Sequence, residues 1–235
     1  MKLFKLTAFF TAVMLLAGIH LHAQNGKTSG GIGFFVPGVQ FFAPGELNAH
    51  FPSNYPDMSF SLYTQAGSGY GIFKNFIYGF EGGGYEGGPF IKDNIQVDLT
   101  GDYSSFQLGY IVISKGKFMA YPLLGLNWNH LDFYIHQPDQ TQTFSAITMS
   151  PDEGTMLKYK ATALNISMNA SYFLGGKMTD GGGGGLMLGL QVGYQSPAFN
   201  GTWTYDNGAV TDGPAFDMSG FYVRLLIGGG GISYN

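Results

Sequence analysis

The chain contains no cysteine, which excludes disulfide bonds, thiolate catalysis, cysteine metal sites and the cysteine that a lipoprotein leader requires. Charged residues are scarce, at 11% of the sequence, against about 25% in an average soluble domain. The net charge is −4 at pH 7 and no basic patch is visible, so we expect no nucleic-acid partner. The chain is rich instead in glycine, with 38 residues, and in aromatic residues, at 16%. This is a poor composition for the surface of a soluble monomer.

Long apolar runs are missing beyond the first residues. Two lysines precede an apolar stretch from Leu6 to Ile19, and Ala23 ends a short segment that fits a cleavage site. We therefore predict a secretory signal peptide at residues 1–23, which is removed, and one mature domain at residues 24–235. An uncleaved N-terminal helix is the alternative, but the run is shorter than the roughly 20 residues that a spanning helix needs. Any crossing of a membrane by the mature chain must then be made by strands.

Apolar and small or polar residues alternate from about Gly31 to the C-terminus. From Thr162 to Leu174, for example, most of the even-numbered residues are apolar, and the odd-numbered residues from Ala163 to Ser171 are alanine, asparagine or serine. Successive side chains of a strand point to opposite sides, so one face suits an apolar medium and the other a narrow polar space. The pattern predicts eight strands, near residues 30–36, 58–73, 76–85, 99–113, 118–134, 158–174, 185–205 and 215–232.

The predicted connections alternate in length. Short turns are expected at residues 74–75, 114–117 and 175–184, and longer loops at 37–57, 87–98, 135–157 and 206–214. Short turns at one rim and longer loops at the other are typical of outer-membrane barrels, whose short rim is periplasmic. We therefore predict an all-β fold, an eight-stranded antiparallel up-and-down transmembrane β-barrel with short periplasmic turns and longer extracellular loops.

A secreted soluble β-sandwich is the alternative fold. It would bury the apolar face of each strand and expose the opposite face to water. That opposite face carries glycine, asparagine, serine and glutamine with almost no lysine or glutamate, which would make a sparingly soluble surface. The composition therefore favours the barrel.

Two charged residues, Glu81 and Arg224, fall inside predicted strands. An arginine that faces lipid at mid-depth costs about 2–4 kcal/mol, so both side chains are predicted to point inward and to find hydrogen-bonding partners there. We favour a structural polar plug over a solute-selecting gate. The predicted plug consists of Glu81, Arg224, Tyr63, Tyr103, Gln107, Asn127, Asn165, Asn169, Gln191 and Tyr222. The residues predicted to face lipid are Leu164, Ile166, Met168, Leu188, Leu190, Val223, Leu225 and Ile227.

Several glycine–aromatic motifs carry a family likeness. They are Gly30–Phe35 with Pro37-Gly38, Gly67–Gly71, Phe76–Gly84, Gln107–Tyr110 and Tyr121–Gly125. They resemble motifs of small outer-membrane barrel proteins common in Bacteroidota, and the overall plan is similar to the OmpX and OmpA barrels. The resemblance implies an eight-stranded barrel in the outer membrane, and it transfers no catalytic residues.

Residues that could support catalysis or bind a metal are few. Outside the leader the histidines are His50, His130 and His136, and no paired ligand spacing accompanies them, so we predict no metal and no cofactor. A rim enzyme acting on lipid would need a serine, a histidine and an acid, for which His130 or His136, Asp132 and Ser150 are available. Nothing in their spacing selects them.

The sequence thus predicts a non-enzymatic outer-membrane barrel with a lumen filled by side chains and a structural or surface-interaction role through its extracellular loops. A narrow passive channel for small solutes and a rim-located lipid-modifying enzyme are the alternatives. The expected partners are outer-membrane lipid, the barrel-insertion machinery and an extracellular partner that contacts the loops.

Overall fold

The computed structural model describes residues 27–42, 47–58, 61–137, 154–176, 178–205, 208–214 and 216–234. The predicted signal peptide and Ser150 lie outside these residues. Eight long strands dominate: β1 (Thr28–Phe41), β2 (Ser61–Phe73), β3 (Phe76–Lys92), β4 (Ile95–Tyr110), β5 (Phe118–His136), β6 (Thr155–Phe173), β7 (Gly182–Pro197) and β8 (Gly220–Tyr234). The short elements are a helix, Leu47–His50, and the strands Ile113–Lys115, Met178–Thr179, Thr202–Tyr205 and Gly208–Val210.

The eight long strands close into an antiparallel barrel. Each pairs with the next in chain order, and β8 pairs back with β1, with Thr28 opposite Tyr234. Because the barrel is closed, every long strand hydrogen-bonds to a neighbouring strand on each side, and no long strand is an edge strand. The predicted eight-stranded, antiparallel, up-and-down topology is therefore confirmed.

The two rims of the barrel differ. At the short-turn rim, β2 and β3 meet at Lys74-Asn75, where both residues have positive φ (50° and 73°), as tight hairpin turns require. The Asn75 Oδ1 atom accepts a hydrogen bond of 2.6 Å from the backbone N–H of Thr28, which fixes the first strand to this turn. The termini of the barrel lie at the same rim. The opposite rim, the long-loop rim, carries the short turn from β3 to β4 and the longer connections from β1 to β2, β5 to β6 and β7 to β8.

One predicted loop is largely strand. The sequence predicts a long connection at residues 87–98, but β3 continues to Lys92 and β4 begins at Ile95, so that only Asp93-Asn94 turns. The ladder shifts register between Gly87 and Phe90 and then continues, with Phe90 opposite Val97. In the sequence, the glycines and proline at 87–89 indicate the end of a strand. In the structure, a local irregularity of the antiparallel ladder accommodates them.

The predicted seventh strand is too long. The sequence predicts one strand over residues 185–205, but β7 ends at Pro197, where it still pairs with Ala163 of β6. The short strand Thr202–Tyr205 then pairs with residues 157–160 of β6, near the long-loop rim. Gly208–Val210 pairs in turn with Thr202–Tyr205. Proline lacks the N–H that the ladder needs, so the pairing is interrupted and resumes a few residues later.

The predicted orientation of Tyr63 is wrong. Its side chain is 45% exposed on the outer wall, whereas its neighbours Leu62 and Thr64 are buried in the lumen. In β2 the glycines of the alternation, such as Gly67 and Gly69, face outward, and Tyr70 faces inward. Small residues suit the narrow lumen of a small barrel, but in this strand they do not mark the inner face. The alternation determines which residues share a face, but not which face is inside.

Candidate functional site

The lumen contains a layer of buried polar side chains. All the predicted plug residues except Tyr63 are buried: Glu81, Tyr103, Gln107, Asn127, Asn165, Asn169, Gln191, Tyr222 and Arg224. Further buried residues that the sequence did not single out join them, among them Gln40, Tyr70, Ser167 and Gln195. The strands bring these side chains together because each residue occupies an inward position of its alternation.

The ion pair of Glu81 and Arg224 forms the centre of this layer. The Arg224 Nη1 atom lies 2.5 Å from Glu81 Oε1, and both side chains are fully buried. The hydroxyl of Tyr103 donates to the same carboxylate at 2.9 Å, and that of Tyr70 contacts its other oxygen at 3.4 Å. The Arg224 Nη2 atom donates to the side-chain oxygen of Gln40 at 3.3 Å. A buried charge pair is tolerated only with such additional partners.

Aromatic rings also contact the guanidinium. The Arg224 Cζ atom lies 4.2 Å from the ring centroid of Tyr222 and 5.1 Å from that of Tyr103. These distances fall within the range of cation–π attraction, which strengthens when water is excluded. The hydroxyl of Tyr222 donates to Asn165 Oδ1 at 2.6 Å, so the ring that contacts the arginine is itself held in position.

Further hydrogen bonds surround this centre. The amide of Asn127 donates to Gln195 at 2.8 Å, and the Asn169 amide donates to Ser167 at 3.1 Å. The hydroxyl of Tyr70 donates to Gln107 at 2.9 Å. The bonded residues come from strands that are not neighbours in several cases, so the network braces the barrel internally.

Two glycines make room for the large side chains of the layer. A Cβ atom at Gly38 would overlap the side chain of Arg224, and one at Gly193 would overlap the ring of Tyr222. Both glycines pair directly across the ladder with β8. The close approach explains why the residues opposite the arginine and the tyrosine have no side chain.

Apolar layers lie above and below the polar layer. Toward the long-loop rim the lumen is filled by Phe42, Leu47, Leu99, Phe133, Trp203 and Phe216. Toward the short-turn rim it is filled by Ile72, Ile77, Ile111, Phe173, Met187 and Ile232. The described side chains therefore close the barrel at both ends, as expected for an eight-stranded barrel of this size.

The outer wall is apolar. The residues that the sequence assigned to lipid lie on it, and most of them are more than 40% exposed: Leu164, Ile166, Met168, Leu188, Leu190, Val223, Leu225 and Ile227. Lysines beside the turns of the short-turn rim border an apolar band on one side, and charged residues such as Glu86, Asp102 and Lys160 border it on the other. Among the described residues of the long strands, the outward positions within this band carry no charge.

The height of this band can be judged on β5. Phe118 and Trp128, both exposed, mark its borders and lie ten positions apart. At about 3.3 Å per residue this is about 33 Å along the strand, or about 25 Å when the strand tilts by about 40°. A band of that height between aromatic borders matches the hydrocarbon contact surface of small outer-membrane barrels.

The rim histidines contact carboxylates. His130 lies between Asp102 and Asp132, with each ring nitrogen 3.3 Å from a carboxylate oxygen. The His136 Nε2 atom lies 2.8 Å from Asp98. Across the described ranges, no group of three or more histidine, aspartate or glutamate residues could hold a metal ion.

A pocket on the outer wall was not foreseen from the sequence. It has a volume of about 520 Å³, and its lining includes Asp102, Ser104, Trp128, His130, Lys160 and Phe199. These residues come from β4, β5, β6 and the segment after β7, which are separated in the chain by up to about a hundred residues. Only the barrel pairing brings them together, and the only signal in the sequence was the change from apolar to charged residues at outward positions of β5 and β6.

The chain was also compared with known proteins. No family model and no curated protein matches it. Among solved structures, a major outer membrane protein from Thermus thermophilus is similar with a TM-score of 0.44 at 10% identity, over 90% of this chain and 100% of that one. OprG from Pseudomonas aeruginosa gives 0.44 at 10% identity, over 88% and 95%, and Ail, the attachment invasion locus protein of Yersinia pestis, gives 0.38 at 11%, over 89% and 99%.

None of the helices in the described part of the chain is both long and apolar enough to cross a membrane.

Proposed function

We propose that this protein is an outer-membrane β-barrel with a closed lumen and a structural or surface-interaction role. The observation that carries the proposal is the outer band, apolar and without charge at the described positions, around a closed barrel whose buried charges, Glu81 and Arg224, pair inside. In water such a band would be a large adhesive patch. In a bilayer it replaces lipid–lipid contacts, and the closed ladders satisfy the backbone where water is absent.

The orientation follows from the two rims. Outer-membrane barrels keep short turns on the periplasmic side, so the long-loop rim faces the outside of the cell. Function on a rigid barrel is carried by its loops. The connections from β1 to β2, β5 to β6 and β7 to β8 are therefore the segments that contact an external partner. The insertion machinery and outer-membrane lipid are the partners that the barrel itself requires.

Fractionation tests the membrane location. We expect the full chain in the outer-membrane fraction, extracted by detergent but not by high salt or carbonate. On a gel without boiling it is expected to migrate as a compact, heat-modifiable species, because a closed ladder resists detergent until it is heated. Recovery of the protein as a soluble periplasmic species would overturn the proposal.

A narrow passive channel is the second candidate. Several buried polar atoms of the lumen have no hydrogen-bond partner among the described residues, among them Thr64 Oγ1, Gln107 Nε2, Gln191 Oε1 and Arg224 Nε. Such atoms could hydrogen-bond a passing solute. The apolar layers at both ends oppose this hypothesis, so we expect no ionic conductance in planar bilayers. A steady conductance that changes in Glu81→Gln or Arg224→Gln would favour the channel instead.

A rim enzyme has the least support. Both ring nitrogens of His130 face carboxylates, Asp102 and Asp132, and not a hydroxyl of a described residue that the imidazole could deprotonate. His136 likewise contacts Asp98. We expect no lipid hydrolysis by the reconstituted protein. A turnover that disappears in the His130→Ala or His136→Ala variant would restore the enzyme hypothesis.

A further inference from the structure

The pocket on the outer wall lies where the apolar band ends. Across the strands, Asp102, His130, Lys160 and Thr202 pair in one row of outward positions. The row below contains Ser104, Trp128 and Thr162, and the row below that Phe106, Leu126 and Leu164. Polarity thus falls over three successive rows, from charged to mixed to apolar.

The walls of the pocket combine two kinds of surface. Trp128 and Phe199, 47% and 70% exposed, offer aromatic faces. The upper row offers an acceptor at Asp102 and a donor at Lys160. Asn200 and Thr202, which can do both, complete that side. The segment after β7 forms the overhanging edge, held by a hydrogen bond of 2.9 Å from Ala198 N to the carbonyl of Thr162.

This lining selects among ligand chemistries. An anionic group drawn to Lys160 would also meet Asp102, and a cationic group drawn to Asp102 would also meet Lys160, so a ligand with a single charge gains little net attraction from this pocket. A neutral polyhydroxylated ring satisfies both, because each hydroxyl donates and accepts. The apolar face of such a ring packs on an aromatic side chain. A volume of about 520 Å³ lies in the usual range of small-ligand pockets and accommodates one or two sugar rings.

We propose that this pocket binds the uncharged sugar head group of a glycolipid in the outer leaflet, a proposal that rests on the membrane location proposed above. The head group occupies the two upper rows, with a sugar ring against Trp128. The acyl chains run down the outer wall along Leu126 and Leu164 and then along Leu124 and Ile166, which pair in the next row. A free sugar would leave this apolar path unused, so the lipid-linked form is the expected ligand.

Titration in a bilayer tests the proposal. The full mature chain is reconstituted into phosphatidylcholine nanodiscs that contain increasing fractions of monoglucosyl diacylglycerol, and tryptophan emission is recorded. We expect a saturable change in emission that is absent in Trp128→Phe, because Trp203 is buried in the lumen. The double variant Asp102→Ala/Lys160→Ala should raise the half-saturating fraction at least tenfold. Glu86→Ala, which removes an exposed charge outside the pocket, should match the wild type.

A further variant keeps the proposal testable if the double variant does not fold. Ser104→Phe fills the lower row without removing a charge or adding a second indole to the pocket, and it should abolish the emission change while the protein remains heat-modifiable. Phosphatidylglycerol and soluble methyl glucoside serve as competing probes, and neither should saturate the signal.

The outcomes separate the two proposals. Failure of the wild-type chain to enter nanodiscs would overturn the membrane location. Insertion without a saturable response to the glycolipid, or an equal response to phosphatidylglycerol, would overturn the pocket proposal alone. Saturation by methyl glucoside at equal strength would show a soluble sugar as the ligand and exclude the glycolipid.

Discussion

The ion pair of Glu81 and Arg224 is the residue-scale feature that distinguishes this lumen from an ordinary core. Its charges are fully buried, and Tyr103, Tyr70 and Gln40 supply the partners that water would provide outside. A buried pair of this kind adds little net stability compared with apolar residues, but either partner alone is costly. The two residues therefore depend on each other.

Removing one partner should be worse than removing both. We expect Arg224→Met to lower the free energy of unfolding by about 3–5 kcal/mol, because it leaves the carboxylate of Glu81 buried and unpaired. The double variant Glu81→Leu/Arg224→Met should recover most of this loss. Urea unfolding in lipid vesicles, followed by tryptophan emission, measures both. Equal stability of the single variant and the wild type would show that the pair does not matter to the fold.

The glycine opposite Tyr222 gives a matched pair of variants. Gly193→Ala should lower the free energy of unfolding by about 1–3 kcal/mol, because the new methyl group overlaps the ring of Tyr222 in a packed lumen. Gly67→Ala is the control, since a Cβ there meets nothing within 4 Å on the outer wall. The same unfolding assay applies. A loss as large at Gly67 as at Gly193 would assign the effect to the backbone and not to the overlap.

At the scale of elements, the segment between β7 and β8 closes the long-loop end of the lumen. Its strand Thr202–Tyr205 pairs with β6, and Trp203 turns inward, 5.2 Å from the ring centroid of Phe133 and 4.8 Å from that of Tyr159. The indole N–H donates to the carbonyl of Pro214 at 2.7 Å. Trp203 thus packs against the barrel and also holds the later part of the connection, at Pro214, by a hydrogen bond.

Replacing this anchor should release the connection. Trp203→Ala removes a buried aromatic side chain, and we expect a loss of about 3–5 kcal/mol together with faster proteolysis between residues 198 and 219. Tyr205→Ala, an exposed position on the same short strand, is the control and should change cleavage little. Limited proteolysis with mapping of the fragments by mass spectrometry checks both. Unchanged cleavage in Trp203→Ala would mean that the ladder alone holds the segment.

For the whole molecule, the rims differ in the length and number of their connections, and this determines orientation in the proposed membrane. Because the chain has no cysteine, single introduced thiols report without background. Asn94→Cys, at the turn between β3 and β4, should react with an impermeant maleimide on intact cells. Lys115→Cys, at the short-turn rim, should react only after the outer membrane is opened. Labelling in the reverse order would invert the orientation.

Sequence periodicity predicts the inner face of a strand where the two faces differ in polarity. In β3 and β8 the faces differ strongly in polarity, so Glu81 and Arg224 could be assigned to the inner face, where the structure has them. In β2 both faces mix apolar residues with small ones, and Tyr63 was assigned to the wrong face. An alternation identifies the residues that share a face, but its orientation needs a difference in polarity that β2 lacks.

The sequence by itself determined the class of fold, the number of long strands and the scarcity of charge on the wall, because these follow from local alternation and composition. Tertiary structure alone decided which side chains meet. Glu81 and Arg224 are 143 residues apart, and the wall pocket draws on four separate segments. Closure of the barrel sets these contacts through the register of its strands, and register depends on all eight strands together, so no single segment encodes it.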